Sequence, residues 1–217
     1  MSVIPLTIQG PNPTVVQEPD KFNVEGSAVL ILGLDAPQIT GDGDANVSYD
    51  LRVGKQCRDH RGKTVKEIPE KGFVTLNPGS ALIIQTEEYL HLPRQMYGTI
   101  APKVSLLQHG LSTTFSKVDP GYPGPLLITL FNLGKTTVTL RRGECFCALT
   151  LHEVRAGARL YKKGSKQIEA PPTKQPRRSI RDWLEVHHIL VMIVLIIATF
   201  LLAIEHLLTF LLSRQHP

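Results

Sequence analysis

Aromatic residues are scarce, 6% of 217 positions with a single tryptophan, and cysteine occurs only three times. A small, odd cysteine count spread over a mid-sized chain builds no disulfide framework and points to a reducing compartment. Several catalytic signatures are missing as well. There is no Walker loop, no Gly-x-Ser-x-Gly elbow, no His-Glu-x-x-His, and no His-x-Glu followed by Pro-Cys-x-x-Cys. Cys145 and Cys147 lie two apart in a β-prone run and so share one face. With no further ligands at zinc-site spacing, they read as buried or half-buried strand cysteines rather than a metal site.

What is plentiful is glycine (17) and proline (16), in a chain that is 42% hydrophobic and 20% charged. That balance excludes wholesale disorder and favours a turn-rich β protein over a helical bundle. Short β-prone runs occur at Ser27–Leu34, Ala81–Thr86, Gly98–Ala101, Leu126–Asn132, Thr136–Leu140 and Cys145–Leu151. Asn77-Pro-Gly79, Asp119-Pro-Gly121, Gly124-Pro125, Leu133-Gly134 and Arg142-Gly143 punctuate them. Such spacing predicts an all-β sandwich or barrel. The net charge is +5, but five of the 24 basic and three of the 19 acidic residues lie beyond residue 173, leaving the body at +3. A balance this modest does not indicate polymeric nucleic acid; it suits phosphates or an anionic membrane surface equally.

The C-terminal part is of another kind. Ile189 to Ile204 is an uncharged run of sixteen residues, interrupted by Glu205 and His206 and resumed from Leu207 to Leu212. A helix over 189–212 would be about 36 Å long, enough for a hydrocarbon core of about 30 Å. The expectation is a single transmembrane helix over 181–213, preceded by a Pro/basic linker over 169–180. Lys174, Arg177, Arg178 and Arg181 precede the span and only Arg214 follows it. The N-terminal domain is therefore expected in the cytoplasm. Ser179–Asp182 offers a cap-like helix start and Trp183 an interfacial anchor. Glu205 either marks a pore or oligomer contact or snorkels to the distal interface, and the sequence leaves both open.

Four blocks of the body, in order, resemble the trimeric dUTPase and dCTP deaminase superfamily, closest to dCTP deaminase-like proteins. They are Ser48–Gly54, Ala81–Pro93, Lys103–Leu111, and Val118–Gly124 running on through Leu130–Gly134 to Arg142-Gly143. The resemblance covers 27–168 and leaves 1–26 as an N-terminal extension. It implies a distorted β-barrel of the dUTPase type (β-clip), homotrimeric, with sites between subunits. It also implies nucleotide contacts from Lys103, Ser105, Gln108, Gly110, Lys117, Asp119 and Tyr122, with Lys166 and Gln167 in a phosphate-gripping tail. The chemistry of these residues agrees with that. A Ser-containing loop ending in Gly can turn N–H groups and a hydroxyl toward phosphate oxygens, and Lys103 adds a point charge. The ligand expected is a pyrimidine deoxynucleoside triphosphate, with Mg2+ entering on it.

The departures from the family weigh as much as the matches. Deamination at cytosine C4 needs a carboxylate to relay protons, and the position that holds the family's glutamate is Thr129. The first serine of the family's loop is Val104 and its second arginine is Gln108. Asp119, which in dUTPases orients water, is retained. The chain is thus expected to be a membrane-anchored nucleotide-binding protein without deaminase activity, a sensor or membrane effector of the kind that could serve defence against phage. The alternative is an active dUTP diphosphatase or dCTP deaminase, with Glu87 and Glu88 as acids to test against a plain surface-turn role.

Overall fold

The computed structural model describes residues 2–40, 45–62, 64–154, 158–166, 168 and 188–213. The chain divides into two compact units, Met1–Pro171 and Pro172–Pro217.

The first unit is mostly β. Its strands are β1 (Val15–Val16), β2 (Val29–Leu32), β3 (Tyr49–Asp59), β4 (Val65–Glu67), β5 (Phe73–Leu76) and β6 (Ala81–His91), then β7 (Met96–Pro102), β8 (Leu111–Thr113), β9 (Ser116–Val118), β10 (Pro123–Asn132), β11 (Val138–Arg141) and β12 (Cys145–Glu153). Two short helices, α1 (Pro37–Thr40) and α2 (Val104–Gln108), interrupt them. A ten-stranded sheet runs β1-β2-β6-β3-β12-β7-β9, with β10 joining β6 to β8 and β4 beside β3; β5 and β11 form a separate antiparallel pair.

Local sequence explains the strands well. β10 alternates half-buried and buried residues over its full length, the period of two that a strand shows with one face on a core. Leu126, Ile128 and Leu130 thereby enter a core that includes Tyr49, Leu51, Leu90 and Phe146. Leu6 and Val15, from the first 26 residues, are also buried in it. Cys147 is buried and Cys145 half-buried, as the sequence predicts. The two do not alternate simply, however, because the β12–β3 register shifts between them. Burial pushes the thiols of Cys57, Cys145 and Cys147 above their ordinary range, favouring the protonated form.

In the second unit the described element is α3 (His188–Ser213), 26 residues long. Its large apolar side chains from Met192 to Ile204 are 38–66% exposed. Glu205 is an exposed residue on it. Among the described residues no helix is long and apolar enough to cross a membrane, so the expected transmembrane helix is not supported by them. The linker 169–180 and Trp183 lie outside the described residues.

Candidate functional site

The Asp119-Pro120-Gly121 turn joins β9 to β10. Tyr122 N–H closes it on Asp119 O at 3.1 Å, and Gly121 N–H ties it to Leu92 O at 2.9 Å. The turn opens onto a cleft of about 170 Å³ whose walls include Ser116, Lys117, Asp119, Tyr122, Thr129, Tyr161 and Lys166. Lys117 Nζ lies 2.7 Å from Asp119 Oδ1, in a pair exposed enough to add little stability. The buried Tyr122 donates its hydroxyl to Pro125 O at 2.7 Å. Burial pushes the Tyr122 phenol up, opposed in part by a hydrogen bond from the Lys166 backbone.

A strap of chain, residues 158–166, lies over this turn. Tyr161 N–H donates to Pro120 O at 2.8 Å, and the Tyr161 ring tilts against Tyr122 at 5.2 Å. The Tyr161 hydroxyl is buried without a hydrogen-bond partner. A buried polar group left unpaired costs free energy that a ligand can recover. Beside the cleft an open groove of about 550 Å³ is lined by Lys117, Arg159, Lys162, Lys163 and Lys166, with Asp119 its one acid. A surface of that sign draws in polyanions.

The expected loop residues sit elsewhere. Lys103 precedes α2, and its ammonium is ion-paired with Asp50 on β3. The charge that the sequence assigns to phosphate is shared with that carboxylate. Ser105 and Gln108 are exposed on α2. His109 Nδ1 lies 2.7 Å from Ser105 O, a hydrogen bond in the Nδ1-protonated tautomer. Gln108 and Gly110 line a third groove with Gly134 and Lys135. No groove given by the described residues is lined by both the loop set and the Asp119 set. Gln167 lies outside the described residues.

Glu87 and Glu88 are not a surface-turn pair. They sit inside β6, where successive side chains face opposite ways. Glu88 is fully buried, accepting from Tyr49 Oη at 3.0 Å, Arg52 N at 3.0 Å and Arg52 Nε at 2.7 Å. Tyr49 Oη in turn accepts from Asp35 N at 2.9 Å, and burial drives its phenol far up. Glu87 points outward to Arg142 Nη2, 3.2 Å away. Neither acid lines the Asp119 cleft of its own chain.

Sequence reasoning missed Tyr161 and Arg159 as individual site residues. Of that tail the resemblance marked only Lys166 and Gln167, and nothing local marked one tyrosine as the closing wall of a cleft. Among the described residues no group of three His, Cys, Asp or Glu is placed to hold a metal ion.

Comparison with known proteins bears on this geometry. The model of a family described as dCTP deaminase-like matches residues 34–154. The dCTP deaminase of Thermococcus kodakarensis is 33% identical over 119 residues, spanning 55% of this chain and 76% of that protein. That of Thermococcus gammatolerans is 34% identical over 119 residues, 55% and 74% respectively. Among solved structures, the dCTP deaminase of Agrobacterium tumefaciens is 21% identical, with a TM-score of 0.44, over 51% of this chain and 41% of that one.

Proposed function

The chain belongs to the dCTP deaminase-like family, and from that premise we propose that its body binds a pyrimidine deoxynucleoside triphosphate in the Asp119 cleft without deaminating it. The observation that carries this reading is Thr129 in the cleft wall. A threonine hydroxyl does not exchange protons with water and a leaving amine near neutral pH. Among the described residues, Asp119 is the one carboxylate lining the cleft. The ring would sit between Tyr122, Thr129 and the unpartnered Tyr161 hydroxyl, with the polyphosphate over Lys117, Arg159 and Lys166. Mg2+ fits as a companion of the triphosphate, since it commonly takes one or two carboxylates plus substrate phosphates and keeps several waters.

The separation of the loop set from the cleft favours a homotrimer, in which Ser105 and Gln108 of one copy complete the cleft of another. The apolar run over 189–212 favours a membrane anchor, and the basic residues before it favour a cytoplasmic body. A binding module on an anchor, lacking the proton relay, is a nucleotide sensor or membrane effector. Asp119 supports a second reading, an active dUTP diphosphatase.

The test is titration of the full-length protein in detergent with dCTP, dUTP, dTTP and their ribonucleotide counterparts, reading melting temperature and products. One of them is expected to stabilise the protein saturably, by about 2.7 kcal/mol at a hundred times Kd, with no ammonia or diphosphate formed. Ammonia from dCTP overturns the reading, and diphosphate from dUTP establishes the hydrolase. Tyr161→Phe is expected to leave the melting temperature of the free protein within about 1 °C, because its hydroxyl is unpaired there. The same change should weaken nucleotide binding about tenfold.

A further inference from the structure

Away from the Asp119 cleft, two strand irregularities coincide. β3 and β6 pair Val53 with Thr86 and Cys57 with Ile84, so four residues advance on β3 against two on β6. β10 and β6 pair Pro125 with Tyr89 and Leu127 with Gln85, so there β6 advances four against two. Bulges re-aim side chains and interrupt ladders, and here two of them meet over the same few residues of β6. Thr86 takes up the broken ladder, its hydroxyl accepting from Leu126 N and donating to Glu88 O, each at 2.9 Å.

The result is a groove of about 760 Å³ lined by Lys55, Gln56, Gln85, Tyr89, Arg142 and Ser165, among others. That volume is within the range of small-molecule sites. Gln85 Oε1 is buried there with no hydrogen-bond partner. An orphaned carbonyl calls for a donor. Lys55 is exposed and makes no ion pair among the described residues. Arg142 adds a second cation, shared with Glu87.

We propose that this groove is a second ligand site, distinct from the Asp119 cleft, and that it takes a nucleoside monophosphate. A base with ring N–H or amino groups supplies the donor that Gln85 Oε1 lacks. The Gln56 amide reads the same edge, and the Tyr89 ring offers a face for stacking. The phosphate meets the unpaired Lys55 ammonium as a point charge, while Arg142, whose donors go to Glu87 and Ile68 O, offsets the Glu87 carboxylate that also lines the groove. Pro125 and Ser165 line this groove while their neighbours Leu126 and Lys166 line the cleft, so the two sites share backbone without sharing these side chains.

The experiment is calorimetric titration of the full-length protein in detergent with AMP, GMP, CMP and UMP, with inorganic phosphate and ribose 5-phosphate as controls. At least one monophosphate is expected to bind saturably below about 1 mM. Lys55→Glu and Gln85→Leu should each weaken it about tenfold or more, and Asp119→Asn should leave it unchanged. Gln85→Leu removes the orphaned acceptor and so should not unfold the protein; the exposed Lys55→Glu is the safeguard if it does. Three outcomes overturn the proposal: no saturable binding by any monophosphate, phosphate alone binding as tightly, or loss with Asp119→Asn and not with the groove variants. Triphosphate binding at the cleft is read separately, so either site can fail without the other.

Discussion

Glu88→Ala is expected to destabilise the body by about 3 kcal/mol and to lower its melting temperature by about 6–12 °C, at 2–4 °C per kcal/mol for a domain of this size. The carboxylate is fully buried and serves three donors, two of them from Arg52. Removing it leaves the Tyr49 hydroxyl and the Arg52 backbone N–H without their acceptor and strips the guanidinium of its counter-charge. The Arg52 side chain is 22% exposed, so water relieves part of the cost, which places the value at the lower end for broken buried pairs. Glu88→Gln keeps the volume and one acceptor and should cost less than half as much. Calorimetry of both variants checks this; a shift under 2 °C for the alanine would show that the network adds no net stability.

Gly54→Ala is the second large effect, expected to cost about 3 kcal/mol or to abolish soluble expression. A Cβ at residue 54 would stand 2.6 Å from both Gln85 O and Thr86 O, and 2.7 Å from Thr86 C. These are backbone atoms of the neighbouring strand, which no rotamer change can move aside. β3 and β6 would have to part at the bulge that forms the floor of the Gln85 groove, so monophosphate binding should go with the stability. Gly164→Ala, where an added Cβ meets nothing within 4 Å, is the control and should be near neutral. Urea unfolding of the pair measures the difference.

The same bulge explains where sequence reasoning failed. Uninterrupted apolar runs disclosed β2, β7, β10 and β12 to within a few residues, because one buried face imposes its period on the sequence. β3 was visible only as one block of the resemblance, Ser48–Gly54: Gly54, Lys55 and Gln56 break the alternation just where the register slips. β6 was read as ending at Thr86 because Glu87 and Glu88 look like the close of a strand. The chain instead continues to His91 and buries one acid against an arginine thirty-six positions away, a partnership with no local trace. In the site, the Asp119-Pro-Gly-Tyr turn, Lys117, Thr129 and Lys166 were legible and do come together. The ion pair of Lys103 was not legible for a related reason. Its partner Asp50 belongs to a different motif, and only the fold brings the two blocks into contact.

The seating of the strap over the turn bears on how a ligand bound in the proposed cleft would leave. Gly124, at φ +141°, lies so close beneath Ser165 that an added Cβ would stand 2.3 Å from its hydroxyl oxygen. The strap thus rests on bare backbone and is tied to the turn by the Tyr161 N–H bond and the tyrosine pair. On the proposed reading, a nucleotide under Tyr161 and Lys166 would leave as this segment peels back. Residence time would then follow the strap's opening rate more than the strength of contacts in the cleft, and two nucleotides of different affinity could show similar dissociation rates.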